Sequence, residues 1–413
     1  MERIVSTRRF WSACLGNLFE HYDNALFGFL SPFLAPLIFP KYDPLTALIL
    51  TFAMIPLGMI ARPIGSLFFG YIGDRKGRQK ALFLSLSGMA VVSLGVALSP
   101  TYLQAGILSP ILFCLGRVLQ NFFASGETIG GAIFLLEGSP KARHDFLSSL
   151  YNASTIGGIL LASGGVALLS FLGHTASSWR VLYLIGTFTA LFGALIRRQE
   201  TAPLPPITAR PSLFKTFIAY RKPLFLIMII SGFAYANYTM ALVLMNGLIP
   251  LLTSYSKAQM MGLNTLLLIL DFALLPLFGY LASRYSRYTV MIGAALLTAM
   301  VAAPLLALLK TASLPLLILI RSTFVLLGVA FFAPFHAWAK ELVPAHCRYG
   351  IIALGYALGS QLLGGPTSAL SLWLLKTTGT ASGVAIYWIV LALAATCALV
   401  TSRQTKPVDD YAI

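Results

Sequence analysis

The chain has 413 residues, of which 58% are hydrophobic and only 10% charged. So few polar side chains cannot cover the surface of a soluble protein of this size. Apolar stretches of about 18 residues or more recur along its length, which marks a polytopic helical membrane protein and excludes a β-barrel built of short alternating strands. A net charge of +16 would suggest nucleic acid in a soluble protein. In this class it reflects Lys and Arg gathered in cytoplasmic loops, and no nucleic-acid partner is expected.

Arg3, Arg8 and Arg9 precede the first apolar run, as they would in a signal peptide. The run is long, holds two acids and lacks a small-residue cleavage pattern, so it is expected to stay as a first span with a cytoplasmic N-terminus. Twelve spans follow from the apolar runs, at roughly 10–36, 46–71, 80–98, 104–136, 147–172, 180–196, 223–252, 259–281, 289–309, 314–338, 350–375 and 382–402. Pro32, Pro56, Pro63, Pro276 and Pro334 are candidate kinks. With both termini inside, 21 of the 29 Lys and Arg are cytoplasmic, five external and three within spans, which supports this orientation. The longest polar stretch, Arg197 to Lys222, divides the chain into an N-terminal six-helix half (1–198), a cytoplasmic linker (199–222) and a C-terminal half (223–413). A short surface helix is expected at Ser212–Tyr220. Cys14, Cys114, Cys347 and Cys397 show no metal spacing and read as free thiols.

The segment Gly16 to Gly28, GNLFEHYDNALFG, places Glu20 and Asp23 inside the first apolar run. Acids there usually serve a pathway or a pair, and at i, i+3 these two share a helix face. Counted at 1.5 Å per residue, both lie about 17–21 Å along the first helix, a depth similar to that of Arg117 in the fourth. A carboxylate pair facing Arg117 can be a static ion pair or a proton-coupled site in which a solute carboxylate competes for the arginine. Asp23 is favoured as the proton carrier. Arg62 and Glu127 lie at similar depth near the cytoplasmic ends of their spans and can pair as an inner gate. Asp271 and Arg321 are expected to form a structural pair. Asn121, Tyr235 and Tyr238 are candidate solute contacts, and Phe331, Phe332, Phe335 and Trp338 could offer a cation–π wall. His336 and His346 receive no role. No metal cluster or phosphate-binding loop is present, so neither cofactor nor metal is expected.

Two motifs recur six spans apart. Gly70-Tyr-Ile-Gly-Asp74-Arg75-Lys-Gly77-Arg78 follows the second span, and Gly279-Tyr-Leu-Ala-Ser283-Arg284-Tyr-Ser286-Arg287 follows the eighth. Glu137-Gly-Ser-Pro140-Lys-Ala-Arg143 follows the fourth, and Glu341-Leu-Val-Pro344-Ala-His-Cys-Arg348 the tenth. Repeated six-span halves are the architecture of a rocking transporter.

Gly70 to Arg78 resembles the G-x-x-x-D-R-x-G-R loop of the major facilitator superfamily. Ala61–Leu82, Ser109–Glu127, Arg348–Gly359 and the GNLFEHYD segment resemble its metabolite:proton symporter branch, which contains proline/betaine, 2-oxoglutarate, citrate and shikimate transporters. The segment departs at His21, where the branch usually has Trp; His21 lies off the face of the two acids and is not counted in the site. The sequence ends at Ile413 without the coiled-coil tail of some osmosensing relatives, so osmosensing of that kind is not expected.

The resemblance implies an all-α fold of 12 transmembrane helices and no enzymatic activity. It implies a monomer in a bacterial inner membrane that takes up a small solute with a proton by alternating access. Arg117 would anchor a carboxylate, Glu20 and Asp23 would sense the proton, and Asp74, Arg75 and Arg78 would form a latch. Ser283 and Ser286, where the first copy has Asp74 and Gly77, make that latch weaker in the second half. An amino acid or betaine is the first expectation; a di- or tricarboxylate symporter and an uncoupled facilitator or exchanger are the alternatives.

Overall fold

The computed structural model describes residues 7–198 and 213–404, and these are helical almost throughout. In chain order the first eight helices are α1 (Thr7–Ile38), α2 (Pro44–Met59), α3 (Ala61–Lys76), α4 (Arg78–Ala97), α5 (Tyr102–Ala105), α6 (Leu108–Glu137), α7 (His144–Phe171) and α8 (Thr175–Arg198). The next five are α9 (Leu213–Ala219), α10 (Arg221–Tyr238), α11 (Met245–Leu252), α12 (Lys257–Tyr285) and α13 (Arg287–Ala307). The last five are α14 (Leu314–Phe332), α15 (Phe335–Leu342), α16 (Arg348–Leu358), α17 (Thr367–Thr378) and α18 (Ala385–Arg403). Two π-helical segments, Thr239–Leu244 and Gly359–Gly364, interrupt the seventh and eleventh of the expected spans. The short helix expected at Ser212–Tyr220 is present as α9; most of the linker lies outside the described residues.

The described residues hold nine helical stretches long and apolar enough to cross a membrane by length and composition. The other three expected spans are helical where the sequence places them, in α1, α6 and the α16–α17 stretch, but are not among the nine. Many large apolar side chains point outward, including Val91, Phe188, Leu266 and Met300. Soluble monomers rarely expose so many; here they form faces that lipid can cover.

The chain divides into two compact units. One takes the described residues of Arg3–Gly138 and Ser154–Arg210, the other those of Ser139–Ala153 and Pro211–Ile413. In the first, α4 packs on α6 and α8, and α1 on α6, α8 and α2. Leu26, Leu30 and Leu34 recur at i+4 along α1 and meet Phe113, Trp179 and Tyr183 in a closed apolar core. In the second, α13 packs on α18 and α14, and α10 on α14, α16 and α18. The packing of α4 on α8 thus recurs six spans later in α13 on α18. Pro32, Pro56 and Pro276 lie inside helices, while Pro334 stands at the start of α15 and separates it from α14.

The two copies of the loop motif share one backbone shape. Gly77 joins α3 to α4 at φ 104° and Ser286 joins α12 to α13 at φ 154°. Glycine adopts this region without cost, whereas a side chain there costs on the order of 1–3 kcal/mol. Ser286→Gly should therefore raise the thermal unfolding midpoint of the purified protein and Gly77→Ala should lower it. Melting curves in detergent check both, and an unchanged or lower midpoint for Ser286→Gly counts against strain at this turn.

Candidate functional site

Asp23 and Arg117 are linked at one remove. Asp23 is 1% exposed, and its Oδ1 accepts from Ser93 Oγ at 2.6 Å. Its Oδ2 accepts from Gln120 Nε2 at 2.8 Å, and Gln120 Oε1 in turn accepts from Arg117 Nη1 at 2.9 Å. Gln120 stands one turn beyond Arg117 on α6 and reaches between the two charges. The direct carboxylate–arginine pair expected from depth is thus replaced by a relay through one amide. The remaining Arg117 donors face neutral oxygens: Nη2 donates to Asn24 Oδ1 at 3.1 Å and Nη1 to Asn24 O at 3.4 Å. Nε is buried without a hydrogen-bond partner, and the guanidinium carbon lies 4.9 Å from the centre of the Phe27 ring. The arginine is 3% exposed and no carboxylate touches it among the described residues.

Glu20 does not converge on Arg117. Its Oε2 lies 2.6 Å from His21 Nδ1 and accepts from Thr128 Oγ1 at 3.4 Å, while Oε1 is buried without a hydrogen-bond partner. Neighbours in sequence do not face each other along a helix. The His21 ring nevertheless folds back along α1 and places Nδ1 2.9 Å from the backbone oxygen of Asn17 as well. His21, which helical spacing sets off the face of the two acids, thus contacts Glu20. Its substitution for Trp was the one sequence signal that could have found it.

Glu127 does not pair with Arg62. Both its oxygens lie 2.5 Å from the Arg197 guanidinium, and all three groups of atoms are buried. Arg197 lies in the last turn of α8, at the start of the basic stretch that charge marks as cytoplasmic loop. Gly16 makes room for this pair, because a Cβ there would lie 2.8 Å from Glu127 Oε1 and collide with the guanidinium. Arg62 instead donates from Nε to Asn121 Oδ1 at 2.8 Å, and Asn121 Nδ2 donates to Arg117 O at 3.0 Å. Both ends of the Asn121 amide are thus engaged between α3 and α6.

At the first loop, Arg78 pairs with Asp74 and with Glu137, the latter through two contacts of 3.3 Å. Arg75 lies over the Tyr71 ring. Gly70 lies one turn before Asp74 on α3, and Gly77 makes the turn. In the second copy Ser283 donates within its own helix to Gly279 O at 2.8 Å. The missing carboxylate is replaced from α7: Arg287 Nε lies 2.9 Å from Asp145 Oδ1, and Nη1 lies 2.8 Å from Glu341. Each arginine therefore has two carboxylate partners, and the expected weakness of the second copy is not found in its ion pairs.

The second unit holds a buried arginine of similar character. Arg321 Nη2 donates to Asn264 Oδ1 at 2.8 Å, Asn246 Oδ1 at 2.9 Å and Ala241 O at 3.1 Å, and Nε has no hydrogen-bond partner. It does not pair with Asp271, which is buried farther along α12 with no ion pair among the described residues. Asparagines at 246 and 264 meet Arg321 first. Tyr235 and Tyr238 are half-buried on α10. Phe331, Phe335 and Trp338 are fully buried, and Trp338 Nε1 donates to Ser402 Oγ at 3.2 Å, so they serve packing. His336 Nε2 lies 2.9 Å from Asn152 Oδ1. No group able to hold a metal ion occurs among the described residues.

Removing one partner of a buried ion pair leaves an uncompensated charge and costs about 3–5 kcal/mol. Arg197→Gln should destabilise the protein on that scale, and adding Glu127→Gln should recover part of the loss. Thermal melts of the single and double variants check this; a double variant no more stable than the single one contradicts it.

The family model described as "Sugar (and other) transporter" matches residues 10–207. A citrate-proton symporter of Klebsiella pneumoniae is 31% identical over 94% of this chain and 89% of its own length. A putative proline/betaine transporter of Staphylococcus haemolyticus is 30% identical over 92% and 84%. A proton:xylose symporter structure of the major facilitator superfamily superposes with a TM-score of 0.75 at 16% identity, covering 94% of each chain, which speaks to fold alone. This chain is an integral membrane transporter of the major facilitator superfamily and belongs to its metabolite:proton symporter branch.

Proposed function

We propose that this protein takes up a small organic zwitterion or carboxylate together with a proton across a bacterial cytoplasmic membrane, by alternating access of two six-helix halves, 1–198 and 223–413. The observation that carries this reading is Arg117. A buried guanidinium with only neutral oxygens around it and an idle Nε–H is short of one anion. A solute carboxylate fits that need. Drawn toward it, Arg117 releases Gln120, and Asp23 loses the compensation that Gln120 transmits. The uncompensated anion then favours a proton nearby. Solute and proton are thereby bound together, with Glu20 and Asp23 as the acids that respond. Tyr235 and Tyr238 are proposed solute contacts of the second half, and the Asp74–Arg78–Glu137 cluster a conformational latch.

An amino acid or betaine is favoured, because its cationic group suits the acids while its carboxylate suits Arg117. A di- or tricarboxylate is the second reading, supported by Arg321, a further buried arginine among neutral oxygens. The citrate-proton symporter relative points the same way.

Purified protein in liposomes, offered amino acids, betaines and carboxylates, should accumulate at least one of them under an inward proton gradient; accumulation indifferent to the gradient contradicts symport. For that solute, Arg117→Lys keeps the charge but loses the planar fork, and should raise KM by about tenfold or more. Asp23→Asn should abolish accumulation while counterflow exchange continues; unaltered accumulation removes Asp23 from coupling.

A further inference from the structure

The Glu20–His21 contact does not touch Arg117, and its chemistry is that of a proton-binding site. His21 Nδ1 lies 2.6 Å from Glu20 Oε2 and 2.9 Å from Asn17 O. Both neighbours are acceptors, so Nδ1 carries a hydrogen in either charge state of the ring, and the exchangeable position is Nε2. The ring is 15% exposed while Glu20 is 0% exposed. Asn17 holds this turn of α1 against α7, donating from Nδ2 to Ser154 Oγ and Thr155 Oγ1, each at 2.8 Å. Gly158 of α7 lets the helices close there, since its Cβ would lie 3.1 Å from His21 Cβ.

The charges around the pair leave Glu20 dependent on His21. From α6, Glu127 faces it and is held on both oxygens by Arg197 of α8. Thr128 offers only a hydroxyl, at 3.4 Å. On α1 itself Asp23 adds a second negative charge one turn on, and it is joined to Arg117 through Gln120. Arg62 is turned to Asn121. From α7 come the hydroxyls of Ser154 and Thr155 but no charge. His21 is thus the cation available to Glu20 among the described residues. A fully buried carboxylate without a counter-charge is costly, so the pair is stable when it holds one proton beyond the neutral ring.

We propose that Glu20 and His21 form the site where the coupled proton rests, entering at His21 Nε2 to make an imidazolium whose counter-ion is Glu20. No covalent bond other than N–H forms or breaks, and the proton leaves from the same nitrogen. The coupling role rests on the symport reading above. Asp23 is then the electrostatic link: uncovered when the solute draws Arg117 away, it strengthens proton binding one turn back along α1.

The test is nitrogen-15 solid-state NMR of histidine-labelled protein in liposomes, with His21→Gln used to assign the His21 ring by difference. The His21 signal should pass from neutral ring to imidazolium as the medium is acidified, and Glu20→Gln should alter that change. A ring that stays neutral throughout, or that titrates identically in Glu20→Gln, overturns the proposal. Neither result depends on a transported solute, so the site stands or falls separately from symport. For a solute that the wild type accumulates, His21→Gln should lose accumulation and keep counterflow. Retained accumulation with the wild-type pH profile also overturns the proposal, while a general loss of both fluxes that Glu20→Asp shares would show a structural role and overturn it too.

Discussion

The arrangement in the first unit turns on a single constraint: a charge in an apolar interior is costly unless it meets a partner. α1, α6 and α8 meet it with three arrangements in the first unit. Arg197 covers Glu127 directly and closes it as a fixed brace. Arg117 covers Asp23 through Gln120, which leaves the arginine among neutral oxygens with its Nε unpartnered. His21 covers Glu20 with a charge that exists only when the ring is protonated. A direct pair resists change because breaking it strands both charges. The two looser arrangements can exchange partners at lower cost, and they lie next to each other along α1. The segment Gly16 to Gly28 of α1 carries Asp23 and the Glu20–His21 contact, and its Gly16 makes room for the Glu127–Arg197 pair of α6 and α8.

The fold was legible because its signals are long-range and redundant. Apolar runs gave the helices in chain order, and α9 appeared where the linker was expected to form a short helix. Depth counting placed Glu20, Asp23 and Arg117 at one level but could not assign partners. Partner choice turns on side chains between the charges, and Gln120 and Asn24 carry no mark of that role in sequence. Arg62 and Glu127 matched in depth, yet the Glu127 carboxylate is covered by Arg197, which the sequence places at a helix end among other basic residues. His21 was set aside by helical spacing, because i and i+1 diverge on a helix; a flexible ring reaching back toward i−4 defeats that rule.

The internal repeat shows a second kind of hidden information. Ser283 removes the carboxylate that Asp74 provides, but the arginine of that motif keeps two acidic partners because Asp145 supplies one from α7. The ion pairing at the loop is held by a charge pattern in space and not by the motif's own letters. Ser286 keeps the backbone shape of Gly77 at a conformational cost, so the turn geometry is retained even where the residue that allows it freely is not. Arg117 and Arg321 make a similar comparison, each buried among amide and carbonyl oxygens in its own unit.

The central claim is that a solute carboxylate at Arg117 and a proton on the α1 acids are bound in one event. Its most direct test is the proton movement that accompanies solute entry, recorded with a pH indicator in lightly buffered medium around proteoliposomes with no imposed gradient. The account predicts that adding a transported solute outside makes the medium more alkaline, in fixed proportion to the solute taken up, and that Asp23→Asn removes this signal while counterflow persists. Solute entry without any proton movement would contradict it.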